Sequence, residues 1–107
     1  MELTIENLRT LSKNGQIFLT AHSQARLYER DILLKDIRQA IQNGRIIEYR
    51  PDDYRCPSCL VLGVNLTGRW LHVVCGIHES ALWILTAYWP DLDHWNATYT
   101  ERRKKGE

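Results

Sequence analysis

A chain of 107 residues, 44% of them apolar, has material for one modest core, and no Pro-, Gly- or Ser-rich linker divides it. Its 14 Lys and Arg against 13 Asp and Glu leave a formal net charge of +1, so no global field draws it to nucleic acid or membrane, and any anion site has to be local. No apolar stretch is long enough to span a bilayer, Met1 to Glu6 lack the regions of a secretory signal, and three cysteines fit a reduced compartment better than a disulfide scaffold; the expectation is a cytoplasmic protein.

Ile5, Leu8 and Leu11 recur at helical spacing between Glu2 and Asn14, and Gly15 closes the pattern. Ile17 to Leu19 reads as a brief strand. Thr20 is placed to cap a second helix, on which Ala21, Ala25, Tyr28 and Ile32 form an apolar stripe. Leu34, Ile37 and Ile41 mark a third helix, stopped at Asn43-Gly44. From there the grammar changes to strands: Arg45 to Arg50, Ser58 to Asn65, Arg69 to Gly76 and Leu82 to Trp89, with a turn at Thr67-Gly68. Helices followed by a strand meander predict an α+β fold, N-terminal helices on a mostly antiparallel sheet, in one domain over 1–107 with its core at about 16–97. The tail Glu101 to Glu107 has no apolar partner and is expected to be solvated.

The feature richest in chemistry is the row His22, Arg26, Arg30. At four-residue spacing each side chain is rotated about 40° from the last, so all three project from one helix face. Guanidinium groups match phosphate oxygens bidentately and imidazole exchanges a proton near neutral pH, a combination suited to a phosphodiester. The alternative is a solvated face with two surface ion pairs. Strand alternation places Thr86 and Tyr88 on one face with Leu82 and Ile84, opposite Trp83, Leu85, Ala87 and Trp89. If that face lies against the second helix, hydroxyls, cations and a base converge in one cleft. His72 shares a face with Trp70 and Val74 and reads either as a core histidine bonded to a backbone or hydroxyl group, or as a second proton carrier.

Cys56-x2-Cys59, His72-x2-Cys75 and His78 have the residue types of a structural zinc site. Strand geometry argues against it, because His72 and Cys75 are an odd number of residues apart and point to opposite faces. Cys59 and Cys75 are expected to be small buried hydrophobes, and no metal or cofactor is assigned.

Several blocks occur in order: Thr20-x-His22-x3-Arg26-x3-Arg30, Ala40-Ile41-x2-Gly44-x-Ile46-Ile47-Glu48-Tyr49, Pro51-Asp52-Asp53, Pro57-Ser58-Cys59-Leu60-Val61-Leu62-Gly63, Leu71-His72-Val73-Val74 and Thr86-Ala87-Tyr88-x-Pro90-Asp91-x3-Trp95. Together they resemble the bacterial domain-of-unknown-function family 4258, across residues 16 to 103. The resemblance implies a small fold akin to the RelE and MqsR toxin ribonucleases, which are sometimes encoded beside a zinc-finger antitoxin. By that analogy RNA or the ribosome is the partner, and RNA is cut without metal to a 2′,3′-cyclic phosphate. His22 then serves as acid or base, Arg26 and Arg30 stabilise charge, Thr86 and Tyr88 donate hydrogen bonds, and His72 moves a second proton. Tyr49 and Trp70 stack bases, and Arg102 and Arg103 add RNA affinity. The competing reading is a non-catalytic protein-binding module, in which the row pairs with Glu29, Glu48, Asp52 or Asp53 and only holds the structure.

Overall fold

The computed structural model describes residues 1–53 and 56–104. Helix α1 spans Ile5–Lys13, strand β1 Ile17–Leu19, helix α2 Ala21–Glu29 and helix α3 Leu34–Asn43; strands β2 Arg45–Arg50, β3 Ser58–Val64, β4 Trp70–His78 and β5 Ala81–Tyr88 follow. The α+β arrangement is as the sequence predicts, and most element bounds agree to within two residues. Local chemistry sets the starts and stops. Thr4 accepts from the Asn7 N–H to open α1. At α2 the Thr20 hydroxyl accepts from the Ser23 N–H while the Ser23 hydroxyl accepts from the Thr20 N–H, a capping box with serine in place of the usual glutamate. Gly15 and Gly68 take positive φ at the ends of α1 and of the β3–β4 turn.

Strands β2 to β5 form an antiparallel meander, and β1 joins its far edge parallel to β5, giving the order β1-β5-β4-β3-β2. All three helices lie on one face. Their core joins Leu8, Leu11, Leu27, Ile37 and Ile41 to Cys59, Val61, Leu71, Val73, Cys75, Leu82, Ile84 and Ala87. The opposite face holds a smaller cluster of Leu60, Val74 and Trp95, with Leu85, Tyr88 and Tyr99 against it. Trp95 and Tyr99 belong to a strap, residues 90–103, that folds back across this second face after β5.

Three expectations are corrected. The register of β4 with β5 shifts between Val74 and Cys75, which pair with Thr86 and Ile84 and leave Leu85 as an extra residue. This bulge inverts the alternation, so Thr86 and Tyr88 leave the face of Leu82 and Ile84 and point away from the helices. The apolar stripe of α2 is also not its buried face: Ala21 and Ala25 are exposed, Tyr28 is 87% exposed, and Ser23 and Leu27 are the helix residues that pack inward, with Ile32 following in the core. The tail, finally, is exposed from Glu101 to Lys104 but does have an apolar partner, because the Arg102 guanidinium lies over the Trp95 ring. Trp95 bridges Arg102, and the Arg103 N–H donates to the His94 carbonyl, which closes the strap on itself. Lys105, Gly106 and Glu107 lie outside the described residues.

Candidate functional site

The row of α2 divides on folding. His22 is exposed at the start of the helix. Arg26 pairs with Glu29 at 3.0 Å on the helix surface. Arg30 falls at the C-cap, where the helix ends, and its side chain turns to the sheet edge. Strand β1 pairs with Leu82–Ile84 alone, so the β5 edge beyond Ile84 is without a strand neighbour, and Arg30 takes its place: Nη1 donates to the Ala87 carbonyl at 2.8 Å and to the Thr86 hydroxyl at 3.1 Å. The Trp89 indole N–H returns a bond to the Arg30 carbonyl at 2.8 Å. The helix and the Thr86 face therefore do not pack together; one arginine reaches around the edge to join them.

That arginine opens onto a cleft of about 410 Å3 on the second sheet face, lined by Arg30, Arg50, Arg102, Thr86, Tyr88 and His94 among others. Three guanidinium groups come from three places in the chain: the end of α2, the end of β2 and the strap. Arg50 and Arg102 both reach Glu48, Arg102 through Nε at 3.1 Å and Nη2 at 3.3 Å, Arg50 at 3.5 Å. Arg102 also lies over the Trp95 ring, 4.7 Å from its centroid. Arg30 alone of the three pairs with no carboxylate among the described residues.

Two proton-carrying groups border this charge. Burial pushes the Tyr88 phenol above its ordinary value, with Glu48 adding to the rise and Arg102, Arg50 and Arg30 opposing it, so the hydroxyl is a proton donor at neutral pH. Asp91 Oδ1 accepts from His94 Nδ1 at 2.8 Å and from the backbone N–H of His94 and Asp93 at 3.0 Å, which fixes one imidazole nitrogen and leaves Nε2 without a hydrogen-bond partner among the described residues. The His94 bond holds the Asp91 carboxyl below the usual range.

His72 is fully buried beneath the strap, on the same face as the cleft but under it. Its Nε2–H donates to the Tyr99 carbonyl at 2.8 Å, and its ring stands edge-on to Tyr88 and Trp95, with centroids at 5.2 and 4.3 Å. Nδ1 has no hydrogen-bond partner, and burial lowers the ring's proton affinity. The core-histidine reading of His72 holds for one nitrogen. Tyr49, 61% exposed, pairs in register with Cys59 and so sits on the helix side, away from the cleft. Trp70 is 47% exposed on the cleft's face but borders a different cavity, and Arg103 is bound to the carbonyls of Leu92 and Trp95.

Of the residues that the sequence places in one cleft, Arg30, Thr86 and Tyr88 do meet there while His22 and Arg26 do not; Arg102, read from the sequence only as part of a basic tail, joins them, and Arg50 and the Asp91–His94 pair were passed over. The signal for the pair was present as Asp91-x2-His94 directly after Pro90. Arg50 is visible only through the β2 bulge between Ile46 and Glu48, which decides the face on which the strand's later residues fall. Cys59 and Cys75 are cross-strand partners with sulfurs 4.0 Å apart on the helix side, opposite His72. Among the described residues no group of three or more His, Cys, Asp or Glu is placed to hold a metal ion, and no helix is long and apolar enough to cross a membrane.

The fold and the cleft define a small α+β domain whose helices cover one sheet face and whose other face carries a cleft lined by three arginines. The chain belongs to the family described as Domain of unknown function (DUF4258), whose model matches residues 19–89. Comparison with curated proteins and with solved structures finds no match. The matched span contains Arg30, Arg50, Thr86 and Tyr88, while the strap that brings Asp91, His94 and Arg102 lies beyond it.

Proposed function

We propose that the cleft binds a phosphodiester of RNA and that the protein is a toxin-like, metal-independent endoribonuclease of a bacterial toxin–antitoxin pair, akin in fold to the RelE and MqsR toxins. The observation that supports this is the convergence of Arg30, Arg50 and Arg102 with the Tyr88 hydroxyl and the Asp91–His94 pair around one opening. Three guanidinium groups outnumber the two carboxylates nearby, Glu48 and Asp91, and the excess positive charge suits a pentacoordinate phosphorane.

In this reading His94 Nε2 takes the proton of a ribose 2′-hydroxyl, with Asp91 stabilising the imidazolium that forms. The 2′-oxygen attacks the adjacent phosphorus, the bond from phosphorus to the 5′-oxygen breaks, and Tyr88 gives its proton to that leaving oxygen. The products are a 2′,3′-cyclic phosphate and a 5′-hydroxyl end. Arg30 holds a non-bridging oxygen throughout, and Thr86 keeps its guanidinium in place. His22, which the sequence offers as acid or base, stands outside the lining and has no part in this mechanism. The cellular partners are RNA, free or on the ribosome, and a zinc-finger antitoxin.

The test is cleavage of a mixed-sequence RNA in EDTA, with and without ribosomes. Removing one proton-transfer group should slow cutting by about 10²- to 10⁴-fold, so His94→Ala and Tyr88→Phe lose most activity, Arg30→Ala follows, and His22→Ala cuts like the parent. Equal cutting by all of these proteins, or loss in His22→Ala alone, overturns the assignment. A second reading, the non-catalytic binding module, draws on the Glu48 network, where Arg50 and Arg102 share one carboxylate in a structural manner. It expects no cutting under any condition.

A further inference from the structure

A second cavity, of about 590 Å3, lies on the same sheet face as the cleft, on the far side of the strap. Its floor is Leu62 and Val64 of β3, Trp70 of β4 and Arg45 of β2 stand at its sides, and Ala97 and Thr98 of the strap border it. The sheet register gives the spacing. Tyr88, His72 and Leu62 form one cross-strand row, with Tyr88 at the cleft, Leu62 at the cavity and His72 buried between them under Tyr99. Two strand-to-strand steps separate Tyr88 from Leu62, roughly 10 Å, and Arg30, at the outer edge of β5, stands about one step further off.

The lining is unusual for a surface hollow. Trp70 leaves 47% of its area open, and the exposed Arg45 guanidinium has no hydrogen-bond or ion-pair partner among the described residues. The other polar side chains at the rim are committed: the Asn43 amide donates to the Gln39 and Val64 carbonyls and its oxygen accepts from the Val64 N–H, while the Thr98 hydroxyl is bonded to Asn96 Oδ1 and to the Thr100 hydroxyl. A flat apolar floor, one open indole and one unpaired cation describe a site for a planar ring attached to an anion. The volume is within the roughly 300–1,000 Å3 of small-ligand sites.

We propose that this cavity is a nucleobase subsite: a base flanking the phosphodiester at Arg30 stacks on the Trp70 indole, while Arg45 meets the adjoining phosphate. The proposal rests on the RNA reading of the cleft and extends it, since the strand then crosses the strap between the two hollows. Double-stranded RNA keeps its bases in the stack, so the subsite selects single strands. The ligand class is an unpaired base of any sequence, because every base offers a face to an indole.

The experiment is fluorescence anisotropy with an end-labelled hexaribonucleotide and with the same oligonucleotide carrying an internal abasic position, in EDTA and with a 2′-O-methyl backbone to prevent cutting. The proteins are the parent, Trp70→Ala, Trp70→Phe, Arg45→Ala and Arg30→Ala, each checked by circular dichroism. Base stacking on an aromatic side chain is worth roughly a five- to hundredfold change in affinity. Trp70→Ala should lose that factor, Trp70→Phe should recover most of it, and the abasic oligonucleotide should bind the parent more weakly while binding Trp70→Ala no worse than the intact one. Arg45→Ala should weaken both oligonucleotides. Unchanged affinity in Trp70→Ala overturns the subsite, and if Arg30→Ala is then weak the cleft stands without it. Loss in Trp70→Ala with none in Arg30→Ala keeps the subsite and removes the cleft. No binding by the parent overturns both.

Discussion

Arg30 and His72 show how one residue's surroundings decide its role. Arg30 ends α2, yet its guanidinium serves as the missing neighbour of β5, holding the Ala87 carbonyl and the Thr86 hydroxyl. His72 donates from Nε2 to Tyr99 and leaves Nδ1 buried and bare, so taking up a second proton would place an unpaired cation under the strap. Its proton affinity is lowered, chiefly by burial, against the raising effects of the Tyr99 bond and Glu48. Between the depressed folded value and about 6.5 the unfolded chain therefore binds more protons than the folded one, and stability rises with pH across that window. The melting temperature is expected to fall as pH drops from 7 towards 5. A His72→Gln variant, which keeps a donor for Tyr99 and removes the titration, should show a flatter profile by differential scanning calorimetry. An equally steep profile in that variant would assign the effect to other groups.

At the scale of elements, small local events decide large consequences. The extra residue at Leu85 moves Thr86 and Tyr88 from the helix face to the cleft face, and the shift between Ile46 and Glu48 puts Glu48 and Arg50 on the cleft face and Tyr49 on the helix side, the reverse of what unbroken alternation from Ile46 would give. Helix α3 packs on β3 at Gly63, where an added Cβ would run into the carbonyl oxygen, carbonyl carbon and Cα of Ala40. The obstacle is backbone on both sides, so neither partner can step aside by a rotamer change. Gly63→Ala should force α3 away from the sheet and cost about 1–3 kcal/mol or more in urea unfolding. A variant as stable as the parent would mean that the helix sits further from β3 than this packing implies. Periodicity made the helices and strands legible because each buries one stripe or face. It misjudged α2 because His22, Arg26 and Arg30 alternate with small and aromatic residues there, and the face chosen from apolarity was the exposed one.

For the molecule as a whole, a formal charge of +1 says little about RNA, since the relevant charge is the part gathered in one hollow. On the proposed RNA reading, the three arginines at the cleft release counterions from about three phosphates and contribute roughly −2 to the slope of log affinity on log salt for single-stranded RNA. Arg50→Ala or Arg102→Ala should each reduce that slope by about 0.7 in anisotropy titrations over a range of KCl. A slope near zero would exclude the cleft as a phosphate site. The strap is central to this arithmetic, because it delivers Arg102 and His94 to residues that the earlier chain has already positioned.

The amino-acid sequence by itself determined the succession of three helices and a strand meander, the capping by Thr20, the turn at Gly68, the placing of His72 and Cys75 on opposite faces of β4, and the family to which the chain belongs. These rest on nearest-neighbour chemistry and on spacing within single elements. Only the tertiary structure decided that β1 runs parallel beside β5, that two bulges reassign later residues to the second face, and that the strap returns across it. Those outcomes depend on pairing between residues far apart in the chain. A one-residue slip in such pairing reverses every side chain beyond it, and no local pattern records where the slip occurs.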